Sequence, residues 1–271
     1  MGCDIHTRAE VLVTPQQYNG ETRALVALPD EWKMVKDKIF PNDYYSSDMP
    51  IEPFRPYGNM PYTNRPYTGR NYELFSVLAD VRNENRAGNI FDPTMVYAMR
   101  DGLRPIAMPR GVPDDASKGW QKEVREWGDD LHSVSWFTLT ELLQAKKDGA
   151  FNQPFLNRGY VGVEEYRALK GGEITEPTSW SGWDSRGISE QEYLDKTSAD
   201  KDSFQGSVAT EWMASTRERL AFFADDTIAG LLRLAPFVGL RPDWKTLEAS
   251  GGLDLRPRLT DHVRLVFGFD N

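Results

Sequence analysis

Residues 3 to 13 alternate at period two. Cys3, Ile5, Thr7, Ala9, Val11 and Val13 share one face, which is small, apolar or β-branched. Asp4, His6, Arg8, Glu10 and Leu12 share the other, polar at its first four positions. This pattern predicts a strand with one side on a core and the other on water or a cleft. Thr14-Pro15 ends it, Tyr18-Asn19-Gly20 signals a turn, and Thr22 to Leu28 reads as the returning strand of a hairpin. Trp32 to Phe40 reads as a third strand. The last residues repeat the first pattern. Val263, Leu265, Phe267 and Phe269 form an apolar face, and His262, Arg264, Val266, Gly268 and Asp270 form the other. Termini fray unless they are tied into a sheet, so both ends are expected in one sheet, beside each other.

Helical spacing appears between them. Leu74, Phe75, Leu78 and Val81 fall on one side of a helix over residues 72–82. Asp114, Asp115 or Ser117 can cap a helix that runs to Trp127 and stops at Gly128. "DDLHSVSWFTL" reads as extended, and Thr138 or Thr140 opens a short helix to Lys147. Residues 164–170 read as helical, and Val208 to Leu234 carries the longest helical pattern, closed by Pro236. The expected fold is α+β: a mostly antiparallel sheet containing both termini, helices packed on one side, and long Pro/Tyr-rich loops. One domain is expected over 1–271, with a loop-rich insertion at about 150–207.

Composition narrows the function classes. The chain has 271 residues, 27% of them charged, with eight Trp, eleven Tyr and thirteen Phe for a core. The net charge of −9 argues against a nucleic-acid polymer as partner. A small anionic ligand needs only two or three local cations and is compatible with that charge. No apolar run has the length of a bilayer span, so no membrane partner is expected. A single cysteine makes no intramolecular disulfide, and the first residues lack a secretory pattern, which points to the cytoplasm. His6 stands where a myristoylation signal places Ser or Thr. A homo-oligomer is compatible with the composition.

Two sets of residues could carry chemistry. Two of the three histidines belong to Asp-x-His triplets, Asp4-Ile5-His6 and Asp130-Leu131-His132. On a strand, such a spacing aims a carboxylate and an imidazole at one space, as a divalent Zn, Mn or Mg ion requires. The bland alternative is that each Asp orients a ring or satisfies a backbone group. Cys3 faces the other way and reads as a buried small hydrophobe. The second set lies in the Pro/Tyr-rich stretch 41–71 and beyond it. Tyr57, Tyr62, Tyr67 and Tyr72 recur every five residues, interleaved with Arg55, Arg65 and Arg70, and Arg110 and Trp120 could join them. Rings stack on bases and Arg grips phosphate, which suggests a small nucleotide-like ligand. The alternative is that these rings pack the loop onto the sheet.

The segments "MGCDIH", "RNYELFSVLADVR", "RGVPDD", "DLHSVSWFTLTEL" and "VRLVFGFDN" together resemble a family of uncharacterised bacteriophage proteins. That resemblance implies a protein made in an infected bacterial host and carries no established activity. Asp4-Ile5-His6 also resembles the first motif of calcineurin-like metallophosphoesterases. That family's later Gly-Asn-His and His-rich motifs are missing, so its chemistry is not carried over. Three readings follow. The first is a phage accessory protein that sequesters a small phosphate-bearing, nucleotide-like ligand such as an immune signal. The second is a metal-dependent phosphoesterase using Asp4, His6, Asp130 and His132. The third is a protein-interaction module with exposed aromatic loops.

Overall fold

The computed structural model describes residues 3–41, 62–83, 99–101, 103–182, 184–235 and 260–270. In chain order the strands and helices are β1 (Ile5–Val13), β2 (Gln16–Asn19), β3 (Ala24–Ala27), β4 (Glu31–Met34), β5 (Phe40–Pro41), β6 (Tyr62–Thr63), α1 (Tyr72–Ala79), β7 (Met99–Asp101), α2 (Lys118–Trp127), β8 (His132–Thr138) and α3 (Leu139–Lys147). There follow β9 (Pro154–Gly162), α4 (Val163–Gly171), β10 (Gly187–Ile188), α5 (Glu190–Leu194), α6 (Ser198–Ser203), β11 (Ser207–Ser215), α7 (Ile228–Leu234) and β12 (Val263–Phe269). By internal contact the chain divides into two compact units. The first comprises Met1–Asn71, Ile106–Phe151 and Leu220–Asn271, and the second Tyr72–Pro105 and Asn152–Arg219.

The first unit is built on an antiparallel sheet of order β4-β1-β12-β8. The two terminal strands are neighbours, with Ile5 opposite Phe269 and Val11 opposite Val263. Opposed residues share a face, so Ile5, Thr7 and Ala9 lie with Leu265, Phe267 and Phe269. Phe137 joins them from β8, stacked on Phe267 at 5.8 Å. All of these are buried, as is Cys3. Thr7 fastens the segment above this face: its Oγ1 takes a hydrogen bond from the Tyr67 N–H. Tyr67 packs edge-on to Phe223 in a π-helical turn (Phe222–Thr227) that leads into α7.

The other face looks polar in sequence and is nevertheless covered. Helix α2 lies on it, capped by the Ser117 hydroxyl, which accepts from the Trp120 N–H. Trp120, Ala116, Leu131 and Val266 form an apolar cluster there. Gly268 belongs to the same face, and any Cβ on it would come within 2.8 Å of Leu131. Thr138 opens α3 with a capping box to Glu141.

The second unit has a sheet of order β10-β11-β9-β7, parallel only between β10 and β11. Here one sequence expectation fails. Residues 207–215 form a strand, and the helical run begins only beyond Arg219. Val208, Thr210, Trp212 and Ala214 are buried at period two while Glu211, Met213 and Ser215 are exposed. Pairing with β9 along all nine residues satisfies the backbone groups on one edge of this segment and lets its alternate side chains bury together on one face. The stretch 150–207 also carries more regular structure than an insertion of loops.

A small core joins α4 and α5 to β11 through Val163, Tyr166, Tyr193 and Val208. The Tyr166 hydroxyl donates to Glu190 at 3.0 Å. Burial, and then the Glu190 carboxylate, push the Tyr166 phenol from its ordinary 10.0 up to about 12. The unfolded chain therefore releases this proton first. The stability that this tyrosine contributes is intact below about pH 10 and is lost as pH rises towards about 12. Tyrosinate absorbance should show one late transition, moved part of the way down in Glu190→Gln. An unchanged titration in that variant would remove Glu190 from the explanation.

Candidate functional site

On the covered face of β1, His6, Arg8 and Glu10 follow one another at strand spacing. Helix α2 runs above them and meets each in turn. The His6 ring lies 4.2 Å from that of Trp127. Arg8 donates from Nε and Nη2 to one oxygen of Glu123, at 2.9 and 2.7 Å. Glu10 accepts from the Ser117 N–H at 2.9 Å. Glu123 and Trp127 are four residues apart on the helix, so they are neighbours on one side of it. The alternation in β1 is thus matched, rung by rung, by helical spacing in α2.

The innermost rung is an ion-pair network. Arg264, on β12 opposite Glu10, donates to it at 2.7 Å and to Asp115 at 2.7 Å. Its guanidinium lies 3.9 Å over the Trp32 ring. Glu10 is 0% and Arg264 2% exposed, so this rung is structural and closed to ligands. Burial works against the Asp115 carboxylate, but the Arg264 and Trp32 hydrogen bonds outweigh it and hold its pKa below the usual range.

The outer rungs meet solvent. Trp127 is 38% exposed, and a cavity of about 350 Å³ beside it is lined by Glu126, Trp127 and Asp130. Arg65, from the segment that follows β6, is half-buried and lies close enough to feel the charges of Arg8 and Glu123. Burial first, and the like charge of Arg8 second, lower its pKa. Among the described residues its guanidinium has no hydrogen-bond or ion-pair partner. No family model, curated protein or solved structure matches this chain. The residues themselves therefore carry the functional argument.

The Asp-x-His triplets are arranged differently from a shared metal cage. Asp4 takes two hydrogen bonds from Arg70, at 2.6 and 2.7 Å, and this pairing keeps its carboxyl below the usual range. His6 Nε2 lies 3.1 Å from the Asp270 carboxylate, whose other oxygen accepts from the Asp4 N–H. Asp130 belongs to a 3-10 turn (Gly128–Asp130) and not to a strand, so it does not share a face with His132 by alternation. His132 Nδ1 meets the Ser133 hydroxyl at 3.0 Å, and its Nε2 is buried without a partner among the described residues. His262 ends the turn that enters β12, at the far end of that strand from Asp270. Among the described residues no three His, Cys, Asp or Glu side chains gather as a metal would need.

The aromatic row is dispersed. Arg55 and Tyr57 lie outside the described residues. Tyr62, on β6, is exposed. Tyr67 and Trp120 are core residues, their rings covered by Phe223 and by the Val266 cluster, so neither can stack on a ligand. Tyr72 opens α1 in the second unit, against Phe75 and under Arg82. Arg110 lies over the Trp136 and Phe137 rings and pairs with Glu141. Sequence reading missed Arg8, Glu123 and Trp127. The available signal was the shared face of His6 and Arg8, together with the four-residue spacing on α2.

No described helix is long and apolar enough to cross a membrane.

Proposed function

We propose that the protein captures a small phosphate-bearing, nucleotide-like ligand at the outer rungs of the β1–α2 face. Arg65 and Arg8 take the phosphate, and Trp127 offers a ring to the base. The observation that carries this reading is Arg65. A guanidinium presents five N–H donors, and holding it half out of water with no partner is unfavourable. Arg8 beside it adds a second positive charge that Glu123 offsets only once. A phosphate oxygen pair would satisfy both arginines by charge-assisted hydrogen bonds. Glu126 and Asp130 line the cavity at Trp127; they repel a phosphate and accept from amino groups on a base. The site thus has a polarity: phosphate at the arginines, base at the indole. In a phage-encoded protein such capture would take a nucleotide signal out of circulation without cleaving it.

The test is calorimetric titration of the whole chain with ADP and with inorganic phosphate. Arg65→Ala should weaken ADP binding at least about tenfold, the loss expected for a hydrogen-bonded charge pair. The same variant should keep the melting temperature of the parent, because in the free protein it breaks no bond to a described residue. Trp127→Leu should weaken ADP and leave phosphate binding alone. ADP binding that is absent, or that survives Arg65→Ala undiminished, would sink the proposal.

A further inference from the structure

The second unit holds a cavity of its own, about 410 Å³ in volume and within the range of small-molecule sites. Arg186, Lys196, Asp200, Ser203, Phe204 and Gln205 line it. Each of them is half-buried or exposed, so a solute reaches them. Strand register builds one part of the wall. Parallel pairing sets Gly187 of β10 opposite Ser207 of β11, so the residues just before them, Arg186 and Gly206, come side by side. Gly206 also lines the cavity and has to stay bare, since a Cβ there would lie 2.6 Å from the Arg186 carbonyl oxygen and run into the Phe204 ring.

The two cations of the lining are uncommitted. The Arg186 backbone is fixed, because its N–H donates to the Asp184 carboxylate at 2.9 Å. Its exposed guanidinium has no hydrogen-bond or ion-pair partner among the described residues. Lys196 is half-buried, with its ammonium 5.4 Å over the Phe204 ring, and it too has no ion pair among the described residues. The carboxylates nearby are engaged elsewhere. Asp184 also accepts from the Ser207 hydroxyl at 2.8 Å, and Glu192 caps α5 by accepting from the Ser189 N–H at 2.7 Å. In a chain with 41 acidic against 32 basic residues, two unpaired cations on one cavity mark it for an anion.

The rest of the lining narrows that anion. Asp200 supplies the only carboxylate among the lining residues, so two positive charges face one negative. A monoanion balances this better than a doubly charged phosphate. One Asp200 oxygen accepts from the Thr197 hydroxyl at 2.9 Å, and the other has no partner among the described residues. The Ser203 hydroxyl donates to the Asp200 carbonyl oxygen and keeps a lone pair to offer, and the Gln205 amide both gives and accepts. These groups suit hydroxyls. Phe204 has Lys196 over its ring and Tyr193 tilted against it at 5.9 Å, so its ring is already taken and a stacked base does not fit.

We infer that this cavity binds a small, non-aromatic, hydroxyl-rich monoanion of the sugar-acid kind, its carboxylate at Arg186 and Lys196 and its hydroxyls at Asp200, Ser203 and Gln205. The site is independent of the arginines proposed for phosphate in the first unit.

Calorimetric titration of the whole chain with D-glucuronate, D-galacturonate, glucose and acetate tests it. At least one of the two sugar acids should bind with a Kd of about 1 mM or tighter. Glucose lacks the charge and acetate lacks the hydroxyls, so each should bind at least about tenfold more weakly. Arg186→Ala should weaken the sugar acid about tenfold or more and leave the melting temperature unchanged, because that side chain bonds to no described residue. Lys196→Met keeps an apolar stem over Phe204 and removes the charge, and it should weaken binding likewise. Arg65→Ala should bind the sugar acid as the parent does. Three results would overturn the inference: neither sugar acid binds, glucose or acetate binds as tightly, or both Arg186→Ala and Lys196→Met bind undiminished. Failure of ADP binding at Arg65 leaves this test unaffected.

Discussion

Glu10→Ala should destabilise the first unit by about 3 kcal/mol or more, near the lower end of the range for breaking a buried ion pair. Glu10 is wholly buried and makes two charge-assisted contacts, to Arg264 and to the Ser117 N–H at the start of α2. Its removal strands a guanidinium that is 2% exposed and a backbone donor at a helix cap. Asp115 softens the loss because it also holds Arg264, but its side chain is 67% exposed and water weakens that bond. The partner experiment separates the pair from the burial. Glu10→Leu combined with Arg264→Met should recover most of the stability, since replacing both members of a buried pair by apolar groups is often neutral. Urea unfolding measures both, with the slope checked for constancy. A loss below about 1 kcal/mol in Glu10→Ala would place the network among the weak surface pairs.

Phe267→Ala should cost about 3–5 kcal/mol, a large part of the 5–15 kcal/mol that holds a typical domain folded. The ring is fully buried on the central strand β12, between β1 and β8. It stacks on Phe137 at 5.8 Å and meets Phe269 edge-on at 5.7 Å. Its neighbours on the same face are themselves tied into the sheet ladder, so they cannot close the void. Phe267→Leu should recover more than half of the loss. Thermal unfolding of the parent and the two variants checks the order, and equal melting of Phe267→Ala and parent would contradict a core placement.

The strands at the two ends were legible because alternation is a local property. Apolar side chains at Val263, Leu265, Phe267 and Phe269 mark one buried face for that segment, and the structure covers its other face as well. Caps were legible for the same reason: Ser117, Thr138 and Gly128 act within a few residues of themselves. Residues 207–215 were misread because Trp212 and its apolar neighbours also satisfy a helical wheel extended to Leu234. What tipped them to a strand was a partner, β9, some fifty residues away.

The candidate site shows the same boundary more sharply. Arg65 and Arg70 look alike in sequence, yet Arg70 is bound to Asp4 and Arg65 has no partner among the described residues. Asp4-Ile5-His6 and Asp130-Leu131-His132 look alike too, and a 3-10 turn makes the second unlike the first. Cys3 followed its sequence reading, since the inward face of β1 settles its burial.

By itself the sequence determined which residues of the terminal strands share a face, where the capped helices α2 and α3 lie, and that both ends belong to a sheet. Only the tertiary structure decided what covers each face. The polar side of β1 reads as facing water or a cleft, but it lies under α2, where Arg264, brought opposite Glu10 by strand register, neutralises the Glu10 charge. Pairing across such distances depends on where the folded backbone places each charge. Periodicity along the chain carries no record of that placement.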